Sequence, residues 1–298
     1  MIDKLEMFIA VATEAHFGRA AELLGISQPT LSSGIKQLED QLGVQLIVRG
    51  SRYGGLTAEG EVALQRARQI VGDARMLRDE MRFSRNEISG ELRLAVIPTA
   101  LNCAADLAAR FSDLHPHVHA TVLSRNSTEI LRMIDNLEVD AGLSYLDNEP
   151  LGRATTAPLY RESYALLCSP EGAFAQRQAV SWSDLDGAPL ALLTGDMQNR
   201  RIMNRNLADV GARPVIALES NSLIVLAATS ARHGCMTILP DDVARVLAAG
   251  NGLAVVPIEG GRPGHTVGLV VRRSEPHTPM IRALLTEARR MTRVPEVA

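Results

Sequence analysis

At 298 residues the chain is long enough for two domains, each able to bury its own core. Its 31 Lys and Arg nearly balance 34 Asp and Glu, a formal charge of −3 that excludes a general basic field for nucleic acid or anionic lipid. Three scattered cysteines, Cys103, Cys168 and Cys235, exclude a disulfide framework. With no signal-like N-terminus and no apolar run near the ~20 residues of a membrane span, a soluble cytoplasmic protein without a membrane partner is expected.

The first helix is predicted over about Ile2–Glu14, with Leu5, Phe8, Ile9 and Ala12 on one face. Phe17–Leu46 then reads FGRAAELLGISQPTLSSGIKQLEDQLGVQL, two short amphipathic segments around a Gly25-Ile26 turn. Ser27 suits a helix N-cap, and Pro29 in the first turn removes a donor that has no intrahelical partner. Leu31, Ile35, Leu38 and Leu42 form one apolar stripe, while Pro29, Ser33, Lys36 and Gln37 occupy the opposite side, flanked by Thr30 and Ser32. An apolar face for docking and a small polar face for a groove are what a helix-turn-helix requires. Residues 1–90 hold 11 Lys and Arg against 12 Asp and Glu, so specificity should come from groove contacts rather than from charge. Val44–Val48 and Leu56 are predicted as strands of a small wing, with Arg49, Arg52 and Tyr53 available to phosphates.

A long helix follows from Thr57-Ala58-Glu59-Gly60 to about residue 85. Ala63, Ala67, Ile70, Ala74, Leu77 and Met81 repeat at alternating steps of three and four. That repeat predicts a dimerisation helix, although it also fits a helix packed on its own domain. After Ser89-Gly90 the texture alternates. Strands are predicted at 92–97, 118–123, 141–145, 164–169, 190–193, 215–218, 236–239, 254–258 and 267–272. Helices include 104–112, 128–136, 200–210, 223–232 and 280–292. Apolar runs without strict alternation predict parallel strands covered on both faces, an α/β fold.

The motifs F-G-R-A-A-E-L-L-G-I-S-Q-P-T-L-S at 17–32, I-K-Q-L-E-x-Q-L-G-V-x-L at 35–46 and L-T-A-E-G at 56–60 resemble the LysR-type transcriptional regulators. G-E-L-R-L-A-V at 90–96, H-P-H-V at 115–118, D-A-G-L at 140–143, W-S-D-L at 182–185 and M-T-I-L-P at 236–240 extend the resemblance over nearly the whole chain. It implies a winged helix-turn-helix at 1–57, a linker helix at 58–88 and an effector domain at 91–298 resembling type 2 periplasmic binding proteins. Lobe I would comprise 91–162 plus 267–298 and lobe II 163–266, joined by crossovers near 162–169 and 264–272. Gln28, Pro29, Thr30, Ser32 and Ser33 would face the groove of promoter DNA, with Lys36, Arg49 and Arg52 on its backbone. The chain departs from the common pattern at Ser33, where a long polar residue is usual, and at Gly34, where Gln is frequent.

In such an effector domain a small ligand sits where strands end and helices begin, and helix N-termini favour an anion. The corners at 98–102, 124–128, 194–201 and 219–222 offer Thr99, Ala100, Asn102, Asn126, Ser127, Gln198, Asn199 and Asn221. Arg125 or Arg200 would pair with a carboxylate. The resemblance implies a homodimer or homotetramer that contacts RNA polymerase. No cofactor, metal or enzymatic activity is expected: no nucleophile–base pair is evident, and His117 and His119 lack a completing ligand.

Overall fold

The computed structural model of the chain describes residues 1–48, 53–83, 88–274 and 276–292. Two compact units emerge, Met1–Gly90 with Arg132–Val139, and Glu91–Leu131 with Asp140–Ala298. Among the described residues no helix is long and apolar enough to cross a membrane.

The first unit contains α1 (Ile2–Glu14), α2 (Phe17–Leu23), α3 (Gln28–Leu42) and α4 (Ala58–Phe83). Local chemistry sets each boundary. Ala15 turns left-handed after α1, the His16 ring accepts from the Arg19 amide to start α2, and the Ser27 hydroxyl accepts from the Thr30 amide at 3.3 Å to start α3. Gly43 at φ 71° ends α3. Leu5, Phe8, Val11, Ala20, Leu31, Leu38 and Leu46 form the buried core that fixes these helices against one another. Gly34 belongs to this packing, because a β-carbon there would lie 2.4 Å from the Met7 sulfur. Leu42, assigned to the apolar stripe from sequence, is instead 44% exposed.

The segment after α3 is held by the Glu39 carboxylate, which accepts from the Leu46 and Ile47 amides at 2.8 and 3.3 Å. Among the described residues the two arms of the expected wing meet at a bridge between Ile47 and Leu56, flanked by bonds from the Val48 amide to the Gly55 carbonyl and from the Thr57 amide to the Leu46 carbonyl, both 3.0 Å. Arg49 and Arg52 lie outside the described residues. Thr57 opens α4, its hydroxyl accepting from the Gly60 amide at 2.9 Å.

The second unit builds two sheets from β1 (Ser89–Val96), β2 (His117–Ser124), β3 (Ala141–Tyr145), β4 (Ala154–Arg161), β5 (Tyr164–Cys168), β6 (Val180–Ser181), β7 (Pro189–Leu193), β8 (Val215–Ser220), β9 (Met236–Pro240), β10 (Ala254–Glu259) and β11 (Thr266–Arg272). Its helices are α5 (Leu101–Leu114), α6 (Ser127–Asp135), α7 (Gln198–Asp209), α8 (Leu223–Arg232), α9 (Asp241–Asn251) and α10 (Pro279–Met291). One sheet runs β2-β1-β3-β11-β4 and the other β6-β10-β5-β9-β7-β8. The sheets are mixed rather than all parallel: β11 runs antiparallel to β3 and β4, and β5 antiparallel to β9 and β10. The chain crosses between sheets twice, at Glu162–Ser163 and before Thr266, and this return makes those neighbours antiparallel. The two passes touch: the Glu162 amide donates to the His265 carbonyl at 3.0 Å. A β-carbon on Gly264 would fall 1.6 Å from the Glu162 carbonyl oxygen, so only glycine fits that crossing.

Gly264→Ala should therefore lower the thermal midpoint by several degrees through forced separation of the crossovers, an overpacking cost of about 1–3 kcal/mol. Gly250→Ala, a helical site with open space around it, should leave the midpoint unchanged or slightly raised. Calorimetry on the two variants checks the contrast.

Candidate functional site

Two surfaces carry the candidate chemistry, one in each unit. The first is the outer face of α3. Leu31, Ile35 and Leu38 are buried beneath it, whereas Gln28, Pro29, Thr30, Ser32, Ser33, Lys36 and Gln37 are all exposed. Thr30 is partly committed, its hydroxyl lying 2.8 Å from Ser27 Oγ at the cap. Ser33 Oγ accepts from Gln37 Nε2 at 3.4 Å. The remaining donors and acceptors of this face point to solvent. Docking that buries one flank and leaves short polar side chains on the other suits entry into a groove about 12 Å wide.

The residues expected to form a dimer face divide along α4. Ala67 is 1% exposed and Ala63 half-buried, both against the core of their own unit. Ala74 is half-buried. Ile70, Leu77 and Met81 are exposed at 46, 57 and 62%, and Val62, which the pattern did not single out, at 65%. Val62 and Ile70 border an apolar groove of about 600 Å³ with Leu5, Leu42 and Val44.

The second surface lies between the two sheets of the second unit. A cavity of about 10 Å³ is lined by Thr99, Asn126, Ser127, Tyr145, Gln198 and Asn199. The starts of α6 and α7, and the short turn of 3-10 helix Pro98–Ala100 before α5, bring these residues together. Asn199 Nδ2 donates to the Tyr145 hydroxyl at 3.0 Å, Thr99 Oγ1 lies 3.4 Å from the same oxygen, and that hydroxyl donates to Glu162 at 2.8 Å. Ser127 Oγ and Gln198 Nε2 are buried with no hydrogen-bond partner among the described residues. Such groups cost free energy unless a guest satisfies them.

Across the mouth of this cleft, Arg201 grips Glu149 with two nitrogens at 2.9 and 2.7 Å, Arg205 donates to Asn148, and Asn126 donates to Asp196 at 3.3 Å. Of the expected residues, Thr99, Asn126, Ser127, Gln198 and Asn199 meet here. Ala100 is fully buried but off the lining, Asn102 lines a different cavity, and Asn221 is exposed. Arg200 is unavailable to a ligand carboxylate, being held by Glu219 and by the Leu193 carbonyl at 2.7 Å. Arg125 donates to the carbonyl of Ser124.

Tyr145, Glu162 and Tyr164 were not legible as a group. Tyr164 also donates to Glu162, at 3.1 Å. Burial pushes the Glu162 carboxyl up to about 8, only partly offset by the two tyrosine hydroxyls, so the acid is neutral near pH 7. Burial likewise raises the thiols of Cys168 and Cys235.

A reading face on one unit and a donor-lined cleft in the other define a DNA-binding regulator with a ligand-binding domain. Comparison with known proteins identifies the class. Residues 2–61 match the bacterial regulatory helix-turn-helix protein, lysR family, and residues 85–293 the LysR substrate binding domain. The chain belongs to the LysR family of transcriptional regulators, and is not an enzyme. It is 30% identical to the HTH-type transcriptional regulator XapR of Escherichia coli K12 over 81% of this chain and 83% of that protein. To the DNA-binding transcriptional dual regulator OxyR of the same strain it is 28% identical, covering 92% of this chain and 90% of OxyR. The solved structure of full-length CbnR complexed with its target DNA superposes with a TM-score of 0.71 at 22% identity, covering 98% of this chain and all of that one.

The raised Glu162 acid has a stability consequence. Between pH about 4.5 and 8 the unfolded chain releases this proton while the folded one retains it, so stability falls as pH rises through that window. Glu162→Gln, which keeps an acceptor for the tyrosines, should flatten this slope in thermal melts at pH 5 to 8.5.

Proposed function

We propose that the protein binds promoter DNA through the α3 face and that a small anionic metabolite in the interlobe cleft modulates that binding or the bend it imposes. The observation that carries the DNA half is the solvent-facing polar flank of α3, opposite a fully buried stripe. Gln28, Pro29, Ser32 and Ser33 enter the major groove, with Thr30 dividing its hydroxyl between cap and groove. Lys36, with Arg49 and Arg52, contacts phosphates. Residues 1–57 form the DNA-binding domain, 58–88 the linker, and 91–298 the effector domain, with lobe I at 91–162 plus 267–298 and lobe II at 163–266. The protein acts in the cytoplasm, where its promoter and RNA polymerase are.

The anion preference rests on helix N-termini and neutral donors converging on one point with no carboxylate in the lining. A space of about 10 Å³ holds roughly one water molecule, so any larger guest must part the lobes and break the Arg201–Glu149 pair. That difference in contacts between the two states is what converts binding into a signal. Two copies pair through Val62, Ile70, Leu77 and Met81 of α4, with the half-buried Ala74 on the same helix and Ala63 and Ala67 packed on the core of their own unit. A dimer, or a tetramer of two such dimers, then presents two reading helices to successive half-sites.

Likeness to OxyR invites a thiol-based peroxide sensor, but two of the three cysteines, Cys168 and Cys235, are buried with raised thiols, which disfavours a reactive thiolate at either.

Ser33→Glu should weaken binding to the native promoter fragment at least 100-fold in a mobility-shift titration, with an unchanged melting temperature. Retained affinity would remove the docking proposed here. Footprints with and without small carboxylates and oxoanions should differ for at least one of them, while hydrogen peroxide should change none. Leu77→Glu should shift the oligomer toward monomer in sedimentation.

A further inference from the structure

The turn between α1 and α2 ends in a histidine that the docking of α3 leaves unused. His16 is extended, at φ −160° and ψ 120°, and its ring Nδ1 accepts from the Arg19 amide at 3.2 Å. A ring nitrogen that accepts carries no hydrogen, so the imidazole is fixed as the tautomer with its N–H at Nε2. That donor has no partner among the described residues, on a side chain open to solvent.

Its neighbours keep this donor beside the reading helix. Gly18 makes room for the ring: a β-carbon there would lie 3.0 Å from His16 Cε1 and 3.2 Å from Nδ1. The same point is 3.9 Å from Gln28 Oε1, so the imidazole and the first side chain of α3 border one small space. Arg19 Nε reaches Glu14 Oε2 at 3.3 Å, which offsets the carboxylate two residues before the ring.

Resting on the entry of α3 into the major groove proposed above, we infer that His16 is a further DNA-contacting residue, whose Nε2–H donates to a backbone phosphate beside that groove. In a helix-turn-helix the helix before the reading helix crosses the sugar–phosphate backbone, and His16 stands at the head of that helix. Gln28, on α3 itself, is the neighbour that enters the groove, which leaves the backbone to the ring. A phosphate oxygen is a strong acceptor, and a ring already oriented through its other nitrogen loses little freedom on engaging it. Lys36, Arg49 and Arg52, the other backbone contacts, are cations. A neutral donor differs from them in releasing no bound cation from DNA, so its contribution persists as salt rises.

Mobility-shift titrations of the full-length protein on its promoter fragment and on a scrambled duplex test the contact, with Ser33→Glu alongside. His16→Ser keeps a side-chain acceptor at the cap of α2, so its melting temperature should match that of the unaltered protein. Its affinity should fall about three- to tenfold, by the same factor on both duplexes and at low and high salt. His16→Ala, without the acceptor, should lose the same affinity and also melt lower. Ethylation interference adds a readout that a cap alone would not move: a phosphate whose ethylation hinders the unaltered protein should cease to hinder His16→Ser. Unchanged affinity in His16→Ser, a loss on the promoter alone, or an identical interference pattern would each overturn the contact. Ser33→Glu separates the two claims. If it abolishes binding while His16→Ser is unaffected, only the histidine contact falls; if it binds as tightly as the unaltered protein, the docking of α3 falls and the contact with it.

Discussion

The burial of one stripe of α3 is the constraint from which the functional geometry follows. Leu31, Ile35 and Leu38 are nearly fully removed from water against α1 and α2, at roughly 1.5–3 kcal/mol per side chain. Because a helix repeats every 3.6 residues, seating that stripe fixes which residues lie on the opposite side. The polar flank is short-chained and uncharged apart from Lys36, so it can approach another surface closely. In the docking proposed here a near-neutral chain reads DNA through shape and hydrogen bonding at one helix rather than through a diffuse positive field.

The effector unit solves a different problem. Two sheets share two strand crossings, and at those crossings the backbone passes are in contact at Glu162 and Gly264. The one buried acid at this junction organises three elements through tyrosine hydroxyls. Burial keeps its carboxyl neutral near pH 7. The ion pair of Arg201 with Glu149 at the mouth is half-exposed and worth little alone, on the order of 0–1 kcal/mol. A closure of that strength is one that modest ligand affinity can reverse.

Much of this was readable from residue types. Apolar spacing announced α1, while the Gly25 turn, Ser27 and Pro29 announced the start of α3, because such residues act locally. Strand β4 escaped because Ala154–Arg161 has no continuous apolar run and carries Pro158, and it pairs on one side only, with β11. The antiparallel crossings were illegible since direction is set by the distant return of β11. Ala63 and Ala67 show the limit of periodicity: a repeat reveals that a stripe is covered, and tertiary packing alone decides whether α1 or another chain covers it. The role of Glu162 was hidden for the same reason, since its meaning comes from Tyr145 and Tyr164 brought to it by folding. Five cleft residues were anticipated because capping and ligand-binding residues occupy the same strand-to-helix corners.

Amide hydrogen exchange across the whole chain, with and without a duplex of its own promoter, addresses the central claim most directly. The account predicts slowed exchange at 28–37, on the outer turns of α3, with α1 core amides unchanged. Protection elsewhere in the chain with 28–37 unaffected would contradict it.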